Sequence, residues 1–166
     1  MVNLTASQVK LTYVNEVPKK ERIKITGPES VYNLLLQEVY DKETIEHHMS
    51  VKLILFNRTM HLLGVYPLAD GGIHESTLDI RMIFQAALLS NSSGFILARN
   101  SPSCGTEPSK EDLAASNKLQ EASRIMRFDY ADYLIISPDG YLSLADQLYI
   151  IGNSNDSLTI LSLIHI

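Results

Sequence analysis

The sequence predicts an α/β domain, a mixed β-sheet with helices packed on it, and three observations carry that prediction. Short apolar runs of strand length alternate with longer segments of helical periodicity. Pro, Gly, Asn and Asp mark the joins between them. The chain of 166 residues, 45% of them hydrophobic, has the length of one domain and enough apolar surface for a buried core. No internal repeat or low-complexity stretch breaks the pattern.

The elements follow in order. Val9 to Val17 alternates apolar and polar residues, which predicts a half-buried strand. Pro28 opens a helix with Glu29 in its first turn, and Val31, Leu34, Leu35, Glu38 and Val39 give it one mainly apolar face. After the charged loop DKETIEHH, VKLILF (Val51 to Phe56) and HLLGVYPL (His61 to Leu68) read as a hairpin turned at Asn57 to Met60. Gly71-Gly72 marks a turn. Asp79 caps a helix with apolar positions Ile80, Ile83, Phe84, Ala87 and Leu88. Ser93-Gly94 starts a buried strand through FILA. A helix opening at Ser109 and running to about Met126 carries Leu113, Leu119, Ala122 and Ile125. Tyr130 to Ile136 is a strand, and the turn Pro138-Asp139-Gly140 leads to a short one near Tyr141 to Leu144. The order β-α-β-β-α-β-α-β-β predicts a mixed sheet.

Charge and cysteine content narrow the function classes. With 14 basic against 19 acidic residues the formal charge is −5, which offers no electrostatic footprint for a phosphate backbone, so nucleic acid is not an expected partner. The one basic cluster, KKERIK (Lys19 to Lys24), contains Glu21 and reads as a solvated turn. Cys104 is the sole cysteine, which excludes an internal disulfide and a multi-cysteine zinc motif. No charged start followed by an apolar run suggests a signal peptide, and no segment approaches the roughly 20 apolar residues of a membrane span. A soluble, cytoplasmic protein is expected. The final Leu-Ser-Leu-Ile-His-Ile can be written CTG TCT CTT ATA CAC ATC, which resembles a transposon-end sequencing adapter. Residues 161–166 are therefore expected to be a read-through scar, and 148–160 an extension of uncertain character beyond a domain at 1–147.

The stretch ILARNSPSCGTEPSKED (residues 96 to 112) carries the chemistry. An apolar strand runs into a Pro/Ser/Gly loop, and a helix starts at Ser109. Taken with LILFNRTMHLLGVYPLADGG, DIRMIFQAALLSNSSGFILA and DYADYLIISPDGYLSLAD, it resembles the RadC-like branch of the JAB/MPN (JAMM) metallopeptidase superfamily over roughly residues 5 to 147. It looks most like the versions found in Bacteroidetes genomes. The resemblance implies a JAB/MPN-type, cytidine-deaminase-like α/β fold. It also implies a signature of His-Asn-His-Pro-Ser-Gly followed by Pro-Ser-x-x-Asp. In that family two histidines and the aspartate bind Zn²⁺, and a glutamate ahead of the first hairpin strand is the general base. Zinc needs three protein ligands and an open fourth position, where bound water falls to a pKa of about 7.

Carried over position by position, little of that set stands in this chain. Seven residues, Pro102 to Pro108, separate Ser101 from Ser109, which fixes the register without a gap. The resemblance then puts Arg99 and Ser101 at the two histidine positions and leaves Asp112 as the surviving ligand. Ser50 stands at the glutamate position, and Asp132-Tyr133 where the family has Asp-His. Asn100, Pro102, Ser103, Cys104 and Ser109 complete the former-site loop. One aspartate cannot hold zinc against water, and Arg99 would put a fixed cation where the metal sat. Ser109-Lys110-Glu111-Asp112 has the form of a capping box, so what remains serves the fold.

Three groups of residues could rebuild a site, and each also has a plainer reading. The histidines are His47, His48, His61, His74 and His165, and His74 with Glu75 and Asp112 could form a relocated metal set. Cys104 precedes a helix amino terminus, which can lower a thiol pKa, but its loop contains no base. Arg99 could bind an anion with the amides at the start of the helix, or simply pair with Asp112. The leading expectation is a catalytically inactive domain without a cofactor, holding a protein or peptide in the old substrate groove. The competing one is a zinc-dependent peptidase or isopeptidase with unusual ligands. A decaying, unselected gene copy is the third. The DNA-repair label traditionally attached to the family finds no support in the charge or motifs.

Overall fold

The computed structural model describes residues 12–71 and 78–148. Its first strand, β1 (Ser50–Phe56), lies inside the sheet and is buried along nearly its whole length, as an apolar run without alternation requires. Asn57 turns the chain: its side-chain oxygen accepts from the Thr59 and His61 amides, and Met60 adopts φ 60°. β2 (Leu62–Asp70) then returns antiparallel to β1. On the other side of β1 lies β3 (Gly94–Asn100), also antiparallel. β4 (Asp129–Ser137) runs parallel to β3, and β5 (Gly140–Ser143) closes antiparallel on β4, giving the order β2-β1-β3-β4-β5. A parallel step needs a crossover, and α3 (Lys110–Met126) supplies it. α2 (Ile80–Leu89) links β2 to β3. α1 (Pro28–Leu34) precedes the sheet and widens into a π-helical turn, Leu35–Val39, closed by the Tyr40 amide on the Leu35 carbonyl at 2.8 Å. The fold is a single α/β domain of the expected mixed-sheet type.

Two cores sit on opposite faces of this sheet. Val51, Leu53, Leu55, Phe95, Leu97 and Tyr133 face α2 and α3, where they meet Ile83, Phe84 and Leu119. Ile54, Phe56, Ile96, Ala98, Leu134 and Ile136 face the other way, against Val31, Leu35, Tyr40 and Ile45. The two-residue period of a strand decides which residue reaches which side. Arg99, two beyond Leu97, is thereby directed toward α3, and Asn100, two beyond Ala98, toward α1 and the loop after it. Gly94 starts β3 because a Cβ there would meet the Asp129 carbonyl and the Phe56 ring.

Three expectations need correction. Residues 12–17 form no strand, and Val9 to Leu11 lie outside the described residues. The free edge of β2 is met instead by residues 23–25: Lys24 bridges His61, and the Leu62 amide donates to Ile23 at 2.8 Å. Tyr13 and Val14 stay exposed, so the alternation there reflects no burial. On α3 the buried stripe is Asp112, Ser116, Leu119 and Ser123, spaced by four, three and four residues. Small and polar residues therefore face the sheet, which leaves Ile125 81% exposed. Leu88 on α2 is likewise 57% exposed. Among the described residues no helix is long and apolar enough to cross a membrane. The segment 161–166 and all but Leu148 of 148–160 lie outside the described residues.

Candidate functional site

The loop between β3 and α3 brings Arg99 and Asp112 together. Strand alternation points the Arg99 side chain at the first turn of α3, where Asp112 holds the third helical position. Arg99 Nε donates to Asp112 Oδ1 at 2.9 Å and Nη2 to Oδ2 at 2.6 Å, a bidentate pair with both side chains about nine-tenths buried. Tyr133 on β4 donates its hydroxyl to Oδ1 at 2.8 Å. The Ser109 amide donates to Oδ2 at 2.8 Å, while Ser109 Oγ accepts from the Asp112 amide at 3.1 Å, completing the capping box. Each carboxylate oxygen thus accepts two hydrogen bonds. Burial by itself would push the Asp112 carboxyl up, but Arg99, the Ser109 amide and Tyr133 together hold it below the ordinary range. The Tyr133 hydroxyl is pushed well up, by burial first and then by the Asp112 charge.

Asn100 does different work on the opposite face. Its side-chain oxygen accepts from the Ser50 amide at 2.7 Å, and its amide nitrogen donates to the Ile45 and His48 carbonyls at 2.5 and 2.8 Å. The residue therefore clamps the loop ahead of β1 onto the end of β3. Ser50 is buried at the start of β1, and its carbonyl accepts from the Tyr40 hydroxyl at 3.1 Å. Ser101 is buried with its hydroxyl 3.4 Å from that of Ser103, and its carbonyl accepts from the Cys104 amide. Pro102 fills the turn between them.

Cys104 is exposed at φ 60° with Sγ 3.7 Å from Glu46 Oε1. Desolvation, followed by the Glu46 carboxylate, pushes its thiol up rather than down, which opposes thiolate formation. Asp132 is buried beside the site but faces away from it. It accepts from Ser143 Oγ at 2.6 Å and from the Tyr133 and Ala145 amides, fixing the chain after β5. His48 pairs with Asp70 at 2.8 Å and His61 with Thr59 at 2.9 Å. His74 and Glu75 lie outside the described residues.

Zinc does not fit this donor set. Among the described residues no three His, Cys, Asp or Glu side chains converge. Asp112 has its acceptor positions filled, and the Arg99 guanidinium occupies the side from which a cation would approach.

A profile of the RadC-like JAB domain matches residues 25–149, most of the chain and the whole of the sheet just described. The chain belongs to the RadC-like JAB domain family. As a RadC-like domain it is similar to UPF0758 proteins. With that of Salinibacter ruber it shares 32% identity over 130 residues, 76% of this chain and 53% of the relative. With that of Porphyromonas gingivalis the figures are 31% over 133 residues, 80% and 56%. With that of Methanosarcina mazei they are 30% over 139 residues, 84% and 57%. The RadC-like chain spans about half the length of the curated relatives it matches.

The sequence brought Arg99, Asp112 and Ser109 into view together, and all three meet in space. It gave no role to Tyr133, whose hydroxyl joins the carboxylate from 21 residues away. The one available signal was that a tyrosine stands beside Asp132 where the family resemblance implies histidine. Nothing in the spacing announced the Asn100 clamp.

Proposed function

We propose that this RadC-like JAB domain is catalytically inactive and acts by recognition, holding a protein or peptide in the groove beside Arg99. One observation carries the proposal: the carboxylate of Asp112 is saturated by Arg99, Tyr133 and the Ser109 amide. A carboxylate so engaged has no lone pair left for a metal, and a guanidinium is a permanent cation that no physiological pH removes. The reading takes the zinc motif as degenerate, with Arg99 and Ser101 at the histidine positions and Ser50 at that of the general base. Catalytic side chains are then absent, and the remaining polar network serves the fold.

Family membership favours a second reading, a zinc-dependent metallopeptidase or isopeptidase that recruits His74 and Glu75 alongside Asp112. Metal content decides between them. The protein purified in zinc-supplemented buffer is assayed by mass spectrometry, together with Asp112→Ala. Background zinc in a cooperatively folding protein supports the inactive domain. About one zinc per chain, lost in the variant, would overturn it.

A further inference from the structure

On the face opposite the Arg99 pair, the chain builds a concavity. A cavity of about 440 Å³ lies between the π-helical turn after α1, the loop that follows it and the turn joining β4 to β5. Its walls are apolar: Leu36, the buried Tyr40 and Ile45, and Pro138. Asn33, Gln37 and Lys42 supply its polar lining, and Lys42 makes no ion pair among the described residues. The volume and the lining, mostly apolar with a few polar groups, are those of small-molecule sites.

Two features distinguish this cavity from an ordinary surface dent. The backbone beside it departs from α-helical geometry for a full turn, Leu35–Val39, and single π turns occur frequently at functional sites. Its far wall is also fixed in advance. Asn100 holds the Ile45 and His48 carbonyls, and the Tyr40 hydroxyl is tied to Ser50. A preformed wall lowers the ordering cost that a ligand would otherwise meet.

We propose that this cavity binds a small organic carboxylate, its apolar body against Leu36, Tyr40, Ile45 and Pro138 and its anionic end toward Lys42. An uncharged ligand would leave the Lys42 ammonium unused, and a cation would meet it as a like charge. A phosphate-rich ligand would find a single basic side chain, with Asn33 and Gln37 as the other polar groups on an otherwise apolar wall. The carboxylate with an apolar body matches both ends.

The probe is 4-phenylbutyrate, compared with its uncharged amide, 4-phenylbutyramide, in an amide NMR titration of the intact chain. Saturable shifts centred on residues 36–45 are expected. The amide, and the acid on Lys42→Gln, should each bind about tenfold more weakly, as loss of one charge-assisted contact dictates. Asn33→Trp, which fills the mouth from an exposed helical position, should abolish the shifts, while Lys110→Gln on α3 should leave them unchanged. Dispersed spectra of each variant report that it is folded. The proposal is overturned by non-saturating shifts, by equal affinity for acid and amide, by shifts centred elsewhere on the chain, or by shifts that survive Asn33→Trp.

Discussion

At the scale of residues, the Arg99–Asp112 pair sets its own consequences. Both charges are out of water, so each is tolerated only because the other is present. Asp112→Ala strands the guanidinium and should cost about 3–5 kcal/mol of folding stability. The double variant Arg99→Met with Asp112→Leu removes both charges but leaves the Tyr133 hydroxyl and the Ser109 amide without their acceptor, so it should recover part of that loss and stay about 1–3 kcal/mol below the parent. Urea denaturation of the single and double variants measures this. A double variant as unstable as Asp112→Ala would mean that the pair holds the fold by something other than charge. The buried carboxyls also set a pH signature. Asp112 titrates low in the folded chain, so its contribution is present above the unfolded value of 3.8 and is lost as pH falls through the lower folded one. Asp132 titrates high, chiefly through burial, so its contribution is present below 3.8 and is lost as pH rises through the folded value. The urea midpoint should therefore rise as pH falls from about 7 toward about 4, and Asp132→Asn should flatten that slope. Asp129, also raised by burial, keeps the slope from vanishing. An unchanged slope in Asp132→Asn would remove Asp132 from this account.

At the scale of elements, starts and caps were legible in the sequence while faces were less so. Asp79 and Ser109 cap the helices that their residue types announce, because a cap is a local hydrogen bond fixed by neighbours in sequence. The hairpin at Asn57 was legible for the same reason. The face that α3 buries was not. Its stripe runs through Ser116 and Ser123, and only the partner sheet determines that small polar residues fit there. Ser116 finds the Tyr130 hydroxyl at 3.1 Å, a partner 14 residues away that periodicity cannot supply. The first predicted strand failed likewise, since residues 23–25 took the edge of β2. Two substitutions separate local from nonlocal effects. Ser109→Ala removes one cap and should cost about 1 kcal/mol. Gly94→Ala drives a methyl into the Asp129 carbonyl and the Phe56 ring and should cost about 3 kcal/mol. Comparable losses by thermal denaturation in the two variants would contradict this ordering.

For the whole molecule, the two apolar cores and the hydrogen-bonded junction between β3 and α3 close the described fold through the chain's own side chains. Excess EDTA should therefore leave the melting temperature unchanged, and a fall of several degrees would show that a bound cation contributes to folding. Arg99→His combined with Ser101→His should raise zinc content from background toward one per chain, read by mass spectrometry, since it frees Asp112 and adds two imidazoles. The carboxylate of Asp112 ties together strand, helix and tyrosine, and this makes the junction costly to alter piecemeal. Arg99→His alone would weaken that tie without yet assembling a metal site, and a change at Asp112 alone would strand a buried cation. Each single step toward a metal-binding pocket thus leads downhill in stability before any ligand can reward it. The junction works as a latch, whose parts can be exchanged as a set but not one residue at a time.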